Sequence, residues 1–308
     1  MKPGRIKILS IILLTATVLF AGADETGGYA GAFLRMPLSA RSAALGNAVG
    51  SLWGSPENFV ENPAILSSME KREFSSSFQF LTLDRSLHMI SLSMPLPPSA
   101  GLALAWVHAG VGKIEERDFA NVVTGELQTS QDALYVGFSN RIWESFTVGI
   151  NAKILIDQLP EVTATGFGLD LGFFYRAFNT LNFGLTFKDL NSKINWNTNN
   201  IYTYGSQRSD AYPRMIQFSG DYDYKDLLLL TFAYKGSFDI RPTWHAGLEV
   251  KAGENFAVRA GMDDKMPVLG LSTHYGVWGD IVTRIDYAFL FGRYSEGYSH
   301  VFTWIFSF

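Results

Sequence analysis

The 308-residue chain contains no cysteine. No disulfide can carry its stability, and no lipid can be attached at a cysteine behind a leader. Basic charge is scarce as well: 25 Lys plus Arg stand against 29 Asp plus Glu, a net charge of −4. That balance excludes a basic face for nucleic acid. Histidine is sparse, and His88, His108, His245, His274 and His300 lie in separate segments. They have neither the paired spacing of a zinc site nor the local grouping of a hydrolase triad, so no metal, cofactor or enzymatic activity is expected. Long apolar runs are also missing. Past residue 23 no stretch approaches the roughly 20 apolar residues of a membrane-spanning helix, although 47% of residues are hydrophobic and 14% aromatic. Apolar residues so abundant yet so dispersed fit a large soluble β protein or a membrane β-barrel.

The one concentrated apolar run opens the chain. Lys2, Arg5 and Lys7 precede an apolar stretch over 8–21, which ends in the small residues Ala21, Gly22 and Ala23. This is the layout of a secretory signal peptide over 1–23, cut before Asp24.

From residue 73 the apolar residues fall into a period of two. About fourteen segments of roughly ten residues are bounded by Gly, Asn, Asp, Ser or Pro. In one, Ile281, Thr283, Ile285, Tyr287 and Phe289 oppose Val282, Arg284, Asp286 and Ala288. In another, Trp244, Ala246, Leu248 and Val250 oppose His245, Gly247, Glu249 and Lys251. In a third, Phe167, Leu169, Leu171 and Phe173 oppose Gly168, Asp170 and Gly172. A charge facing lipid at mid-depth costs about 2 to 4 kcal/mol, so the charged faces should line a lumen. The lumen set is then Asp170, His245, Glu249, Lys251, Arg259, Arg284 and Asp286, with Phe174, Phe232 and Tyr234 also assigned inward. The glycines of GFGLDLG over 166–172 suit close packing on that face better than a phosphate loop.

Alternation alone leaves a soluble sandwich open, and connection lengths argue against it. Tight turns fall at 95–100, 141–144, 176–179, 223–226, 252–254 and 276–278, all even-numbered connections. Long ones at 111–130, 157–164, 189–212 and 291–298 are all odd-numbered, and only three odd connections, near Leu83, Gly236 and Asp263, are short. An up-and-down barrel with short periplasmic turns and longer outer loops predicts this, with both termini periplasmic. The loop over 189–212 is Asn-rich and carries Trp196, Tyr202 and Tyr204. It reads either as a contact surface or as a plain solvated loop.

Two segments lie outside the strand pattern. The chain ends HVFTWIFSF, placing Phe302, Trp304, Phe306 and the terminal Phe308 on one strand face. This resembles the terminal signal that barrel-assembly machinery reads in outer-membrane proteins. Residues 24–71 instead show small and apolar residues at helical spacing, with Ser55, Pro56 and Glu57 as a helix start. Two helices over 39–51 and 56–69 are expected, either inside the lumen as a plug or below it as a periplasmic extension.

GAFLR, LSARSAALGNAV and SPENFVENPAIL resemble the N-terminal signature of the PorV/PorQ-type outer-membrane proteins, relatives of the FadL-like fatty-acid transporter barrels. The matching positions include Arg35, Arg41, Gly46, Asn62, Pro63 and Ala64, while Ile65 stands where a Gly commonly follows. The resemblance implies a fourteen-stranded barrel over 72–308 behind a plug over 24–71, seated in outer-membrane lipid. It also implies either exported cargo or type IX secretion components as partners, or, on the FadL branch, passive transport of a hydrophobic ligand. The secretion reading is the principal expectation and transport the alternative. Lumen chemistry should separate them: a carrier needs a contiguous apolar pocket with few polar groups, whereas a scaffold can fill its interior with paired charges.

Overall fold

A computed structural model describes residues 28–199, 201, 203–237, 239–253, 255–278, 280–292 and 297–308. The expected signal peptide over 1–23 and Tyr202 lie outside the described residues. The period-two segments form β1 (Glu73–Phe80), β2 (Arg85–Leu96), β3 (Ala100–Arg117), β4 (Val123–Trp143), β5 (Phe146–Gln158), β6 (Thr163–Phe178), β7 (Leu181–Asn197), β8 (Gln207–Ala211), β9 (Met215–Tyr224), β10 (Leu228–Ser237), β11 (Thr243–Lys251), β12 (Phe256–Asp263), β13 (Met266–Trp278), β14 (Ile281–Phe291) and β15 (Tyr298–Ser307). All pair antiparallel with neighbours. β7 pairs with β9 past the excursion of β8, and β1 pairs with β15 to close a fourteen-stranded barrel. Closure removes the sheet edges and gives wall backbone groups partners within the sheet, as lipid requires.

The alternation has the expected sense. On β6 Phe167 is 54% exposed while Gly168, Asp170 and Gly172 are buried. On β11 Trp244 and Val250 face out and His245 and Glu249 are buried inside. β10 corrects one expectation. Phe232 and Tyr234 point outward, their rings 5.5 and 4.5 Å from Trp244, and the buried inner face is Thr231, Ala233 and Lys235. The physical reason is Lys235, whose ammonium finds a carboxylate only in the lumen.

One rim carries the tight turns and the chain end, where Arg72 and Phe308 exchange backbone hydrogen bonds of 3.0 and 2.9 Å. This is the terminal rim, and the opposite one is the distal rim. The two longest expected loops are largely strand. β3 and β4 rise beyond the barrel as a hairpin in place of the loop over 111–130, and β7 pairs with β8 across most of 189–212. A register shift between Val111 and Ile114 and positive φ at Lys113, Asp189 and Asn191 break the alternation where these extensions begin, so period two is lost there even though Leu190, Ile194 and Trp196 share a face.

Residues 28–72 run inside the barrel. The first of them lie at the distal mouth, where Gly31 packs beneath Tyr212, and the chain leaves by the terminal rim. The two expected helices are much shorter than anticipated: an α-helix α1 (Ala40–Ala44), then 3-10 turns at Pro56–Asn58 and Pro63–Ser68. Ser39 caps α1 by accepting from Ser42 N at 3.1 Å. The helix stops because Gly46 and Asn47 adopt φ of 63° and 64°, where a continued right-handed helix is impossible. The second stops at Asn62, whose Oδ1 accepts from Ala64 N at 3.0 Å and restarts the chain at Pro63.

The wall makes room for this plug with glycine. A methyl group on Gly101, Gly149, Gly184 or Gly261 would overlap the backbone of Leu66, Pro63, Gly50 or Gly46 respectively. Apolar plug residues Phe59, Ile65 and Leu66 share one core with Leu87, Tyr135, Leu155 and Phe174 of the wall.

Candidate functional site

Two ionic groups lock the plug to the wall. In the first, Arg41 of α1 donates to Glu249 from Nε and Nη2, both at 3.0 Å. Glu249 also receives Arg259 at 2.5 Å, Arg259 reaches Asp286 at 2.8 Å, and Arg284 bridges Asp286 at 3.0 Å and plug Glu57 at 2.5 Å. The expected lumen residues Glu249, Arg259, Arg284 and Asp286 thus meet in one network with the plug-motif residue Arg41. In the second group Lys153 contacts Asp170 at 2.7 Å and Asp189 at 2.6 Å, while plug Glu61 receives Lys188 at 3.3 Å and Lys235 at 3.1 Å. Charges this deep are tolerated because each has a partner; removing one partner from such a pair typically costs about 3 to 5 kcal/mol.

The other expected site residues have varied fates. His245 Nδ1 meets Gly46 O at 2.8 Å and Asp263 at 3.0 Å. Lys251 is exposed at the terminal rim, outside both networks, beside a polar cavity of about 290 Å³ that also touches Arg176 and Asp221. Arg35 donates to Ala30 O at 2.9 Å. Asn62 Nδ2 ties Gly50 O at 2.6 Å to Phe173 O at 3.1 Å, and Pro63 and Ala64 seat against Gly149. Trp196 is not on a free loop: it lies on β7, packs against the plug core and donates to Asp210 at 3.1 Å. Tyr204 is 97% exposed. Phe302, Trp304 and Phe308 face outward, with Trp304 4.9 Å from the Phe306 ring.

Sequence reasoning missed Glu57, Glu61, Lys153, Lys188, Asp189 and Lys235. A signal existed for the two glutamates, which stand four apart, one helical turn, in a buried segment of the plug. Lys153 shares strand parity with the buried Asn151 and Leu155. Asp189 gave no sign, because its φ of 61° interrupts the alternation of β7. On the outer wall His108 contacts Asp132 at 2.8 Å beside Trp106. Among the described residues no three acidic, histidine or cysteine side chains group as a metal site.

Above the plug, beneath the distal rim, lies a cavity of about 440 Å³. Leu34 and Met36 of the plug and Leu81, Met215, Met266 and Leu290 of the wall supply its apolar surface. A second, mainly apolar cavity of about 350 Å³ adjoins it, sharing Ala32, Met36, Leu81 and Arg85. Their combined volume is in the range of small-molecule sites.

The barrel with a lumenal plug is similar to several solved structures. The Pseudomonas putida toluene transporter TodX matches 93% of this chain and 99% of its own, at a TM-score of 0.63 and 11% identity. The fold is FadL-like. A FadL homologue of Pseudomonas aeruginosa matches 88% of this chain and 97% of its own at a TM-score of 0.58 and 12% identity. The CymD monoaromatic hydrocarbon channel matches 88% and 96% at 0.57 and 14%. No protein-family model matches the chain, and no curated protein matches it by sequence. What these structures share with the chain is the fold, a closed antiparallel β-barrel.

Proposed function

We propose that this FadL-like barrel passes hydrophobic small molecules across an outer membrane, holding them in the distal cavity with the distal rim outside. The observation that carries this reading is the cavity itself. Leu34, Met36, Leu81, Met215, Met266 and Leu290 give it apolar surface, while Lys188 and Lys235 beside it are held by Glu61. Moving apolar surface from water into such a site is favourable by about 25 cal/mol per Å². The names of TodX and CymD as a toluene transporter and a hydrocarbon channel support the same reading. Because the plug fills the lumen below, passage requires the plug or wall to yield, and the barrel works as a gated passage. Cells carrying the chain should take up a radiolabelled alkylbenzene faster than cells without it. Filling the cavity with Met36→Trp and Leu290→Trp should cut that uptake several-fold at equal barrel abundance. Uptake equal to that of cells lacking the protein would overturn the reading.

The PorV/PorQ-type resemblance supports a second reading, in which the distal hairpins bind exported proteins. Its structural support is that Phe119 and Tyr204 stand fully exposed at the two hairpin tips, aromatics of a kind that anchor interfaces. A mild-detergent pull-down separates the two: co-purifying exported proteins favour secretion, and co-extracted hydrophobic molecules favour passage.

A further inference from the structure

Among the described residues lining the distal cavity, Gln217 has both of its buried polar atoms without a hydrogen-bond partner. Of the cavity's ionic groups, Lys188 and Lys235 share Glu61, Asp189 receives Lys153, Arg241 pairs with Asp264, and His245 meets Gly46 O and Asp263, while Arg35 donates to Ala30 O and Arg85 to Thr82. Over the second ionic group, Lys153, Lys188 and Lys235 balance Glu61, Asp170 and Asp189, leaving no net charge. Gln217 of β9 differs. It lines the cavity, is 1% exposed, and neither its Nε2 nor its Oε1 has a hydrogen-bond partner among the described residues. Its cross-strand neighbour Thr186 is also fully buried with Oγ1 unpartnered. Buried amides almost always have partners, because leaving one unpaired forfeits its hydration. Gln217 is thus an amide donor and acceptor, held next to Gly50 of the plug, waiting at the floor of an apolar space.

We propose that Gln217 reads the head of the transported molecule, so that the cavity selects a hydrophobic molecule bearing one neutral hydroxyl group. This rests on the passage reading. A bare hydrocarbon leaves the amide unpaired. A carboxylate can accept from Nε2 but has no proton to give Oε1, and Lys188 and Lys235 are already held by Glu61. A hydroxyl gives its proton to Oε1 and accepts from Nε2, satisfying both ends.

The test uses the full purified chain in detergent, with a fluorescent hydrophobic probe displaced by octane, 1-octanol or octanoate at pH 7 and each competitor corrected for partition into empty micelles. For wild type, 1-octanol should compete roughly five- to tenfold better than octane or octanoate. Gln217→Leu should erase the alcohol preference while keeping octane binding, and the near-isosteric Gln217→Met should do the same should the leucine variant fail to assemble. Equal competition by octane and 1-octanol at wild type, or an unchanged preference in both variants, overturns the role of Gln217. Tighter octanoate overturns it in favour of an anionic head. Displacement by none of the three contradicts the passage reading itself.

Discussion

At the residue scale the plug is held by a few buried ion pairs, and Glu61 is the clearest. Glu61→Gln leaves Lys188 and Lys235 buried around a neutral amide and should cost about 3 to 5 kcal/mol, seen as a lower temperature of plug release. The glycine contacts give a matching steric prediction. Gly149→Val would drive a side chain into the Pro63 backbone and should expose residues 39–67 to protease in an otherwise assembled barrel, whereas a plug as protected as in wild type would show that the wall can absorb the overlap. Individual partners were hard to read from sequence. Parity placed Glu249, Arg259, Arg284 and Asp286 inside, but which plug charge each would meet depends on how the plug threads the lumen, and no local pattern encodes that.

At the scale of elements, strands were far more legible than helices. Period-two alternation with lipid on one face is a strong constraint, since a one-residue slip exposes every lumenal charge; β6, β11 and β14 follow it as expected. β10 was misassigned because Leu228 to Leu230 is apolar on both faces and only Lys235 marks the inner one. The plug carries helical spacing but packs through glycine and asparagine turns, so its periodicity overstated helix. The closing strand makes its own prediction. Phe308 exchanges two backbone hydrogen bonds with Arg72 across the β1–β15 seam, so deleting it should reduce the amount of assembled barrel, and undiminished assembly would remove it from the closure step. Trimming the distal hairpin over 112–127 to a Gly/Ser turn should leave the barrel heat-modifiable on denaturing gels, because shortening a surface connection changes closure entropy little. Loss of the compact band would show that this hairpin supports the wall.

At the scale of the whole molecule, the lumen divides into two parts. Toward the terminal rim it is filled by a charged, hydrogen-bonded plug, as a scaffold would be. Toward the distal rim it opens into apolar space, as a carrier requires. Sequence showed the first part through its inward charges and could not show the second, because the cavity is lined by residues as distant as Leu34, Met215 and Leu290 that only barrel closure brings together. The most direct test is photo-crosslinking of native membranes with a diazirine-bearing alkylbenzene, followed by peptide mapping. Labelling should concentrate on peptides carrying Leu34, Met36, Leu81, Met215 and Leu290 and be competed away by unlabelled alkylbenzene, whereas labelling confined to the lipid-facing wall, untouched by competitor, would contradict a binding cavity inside the barrel.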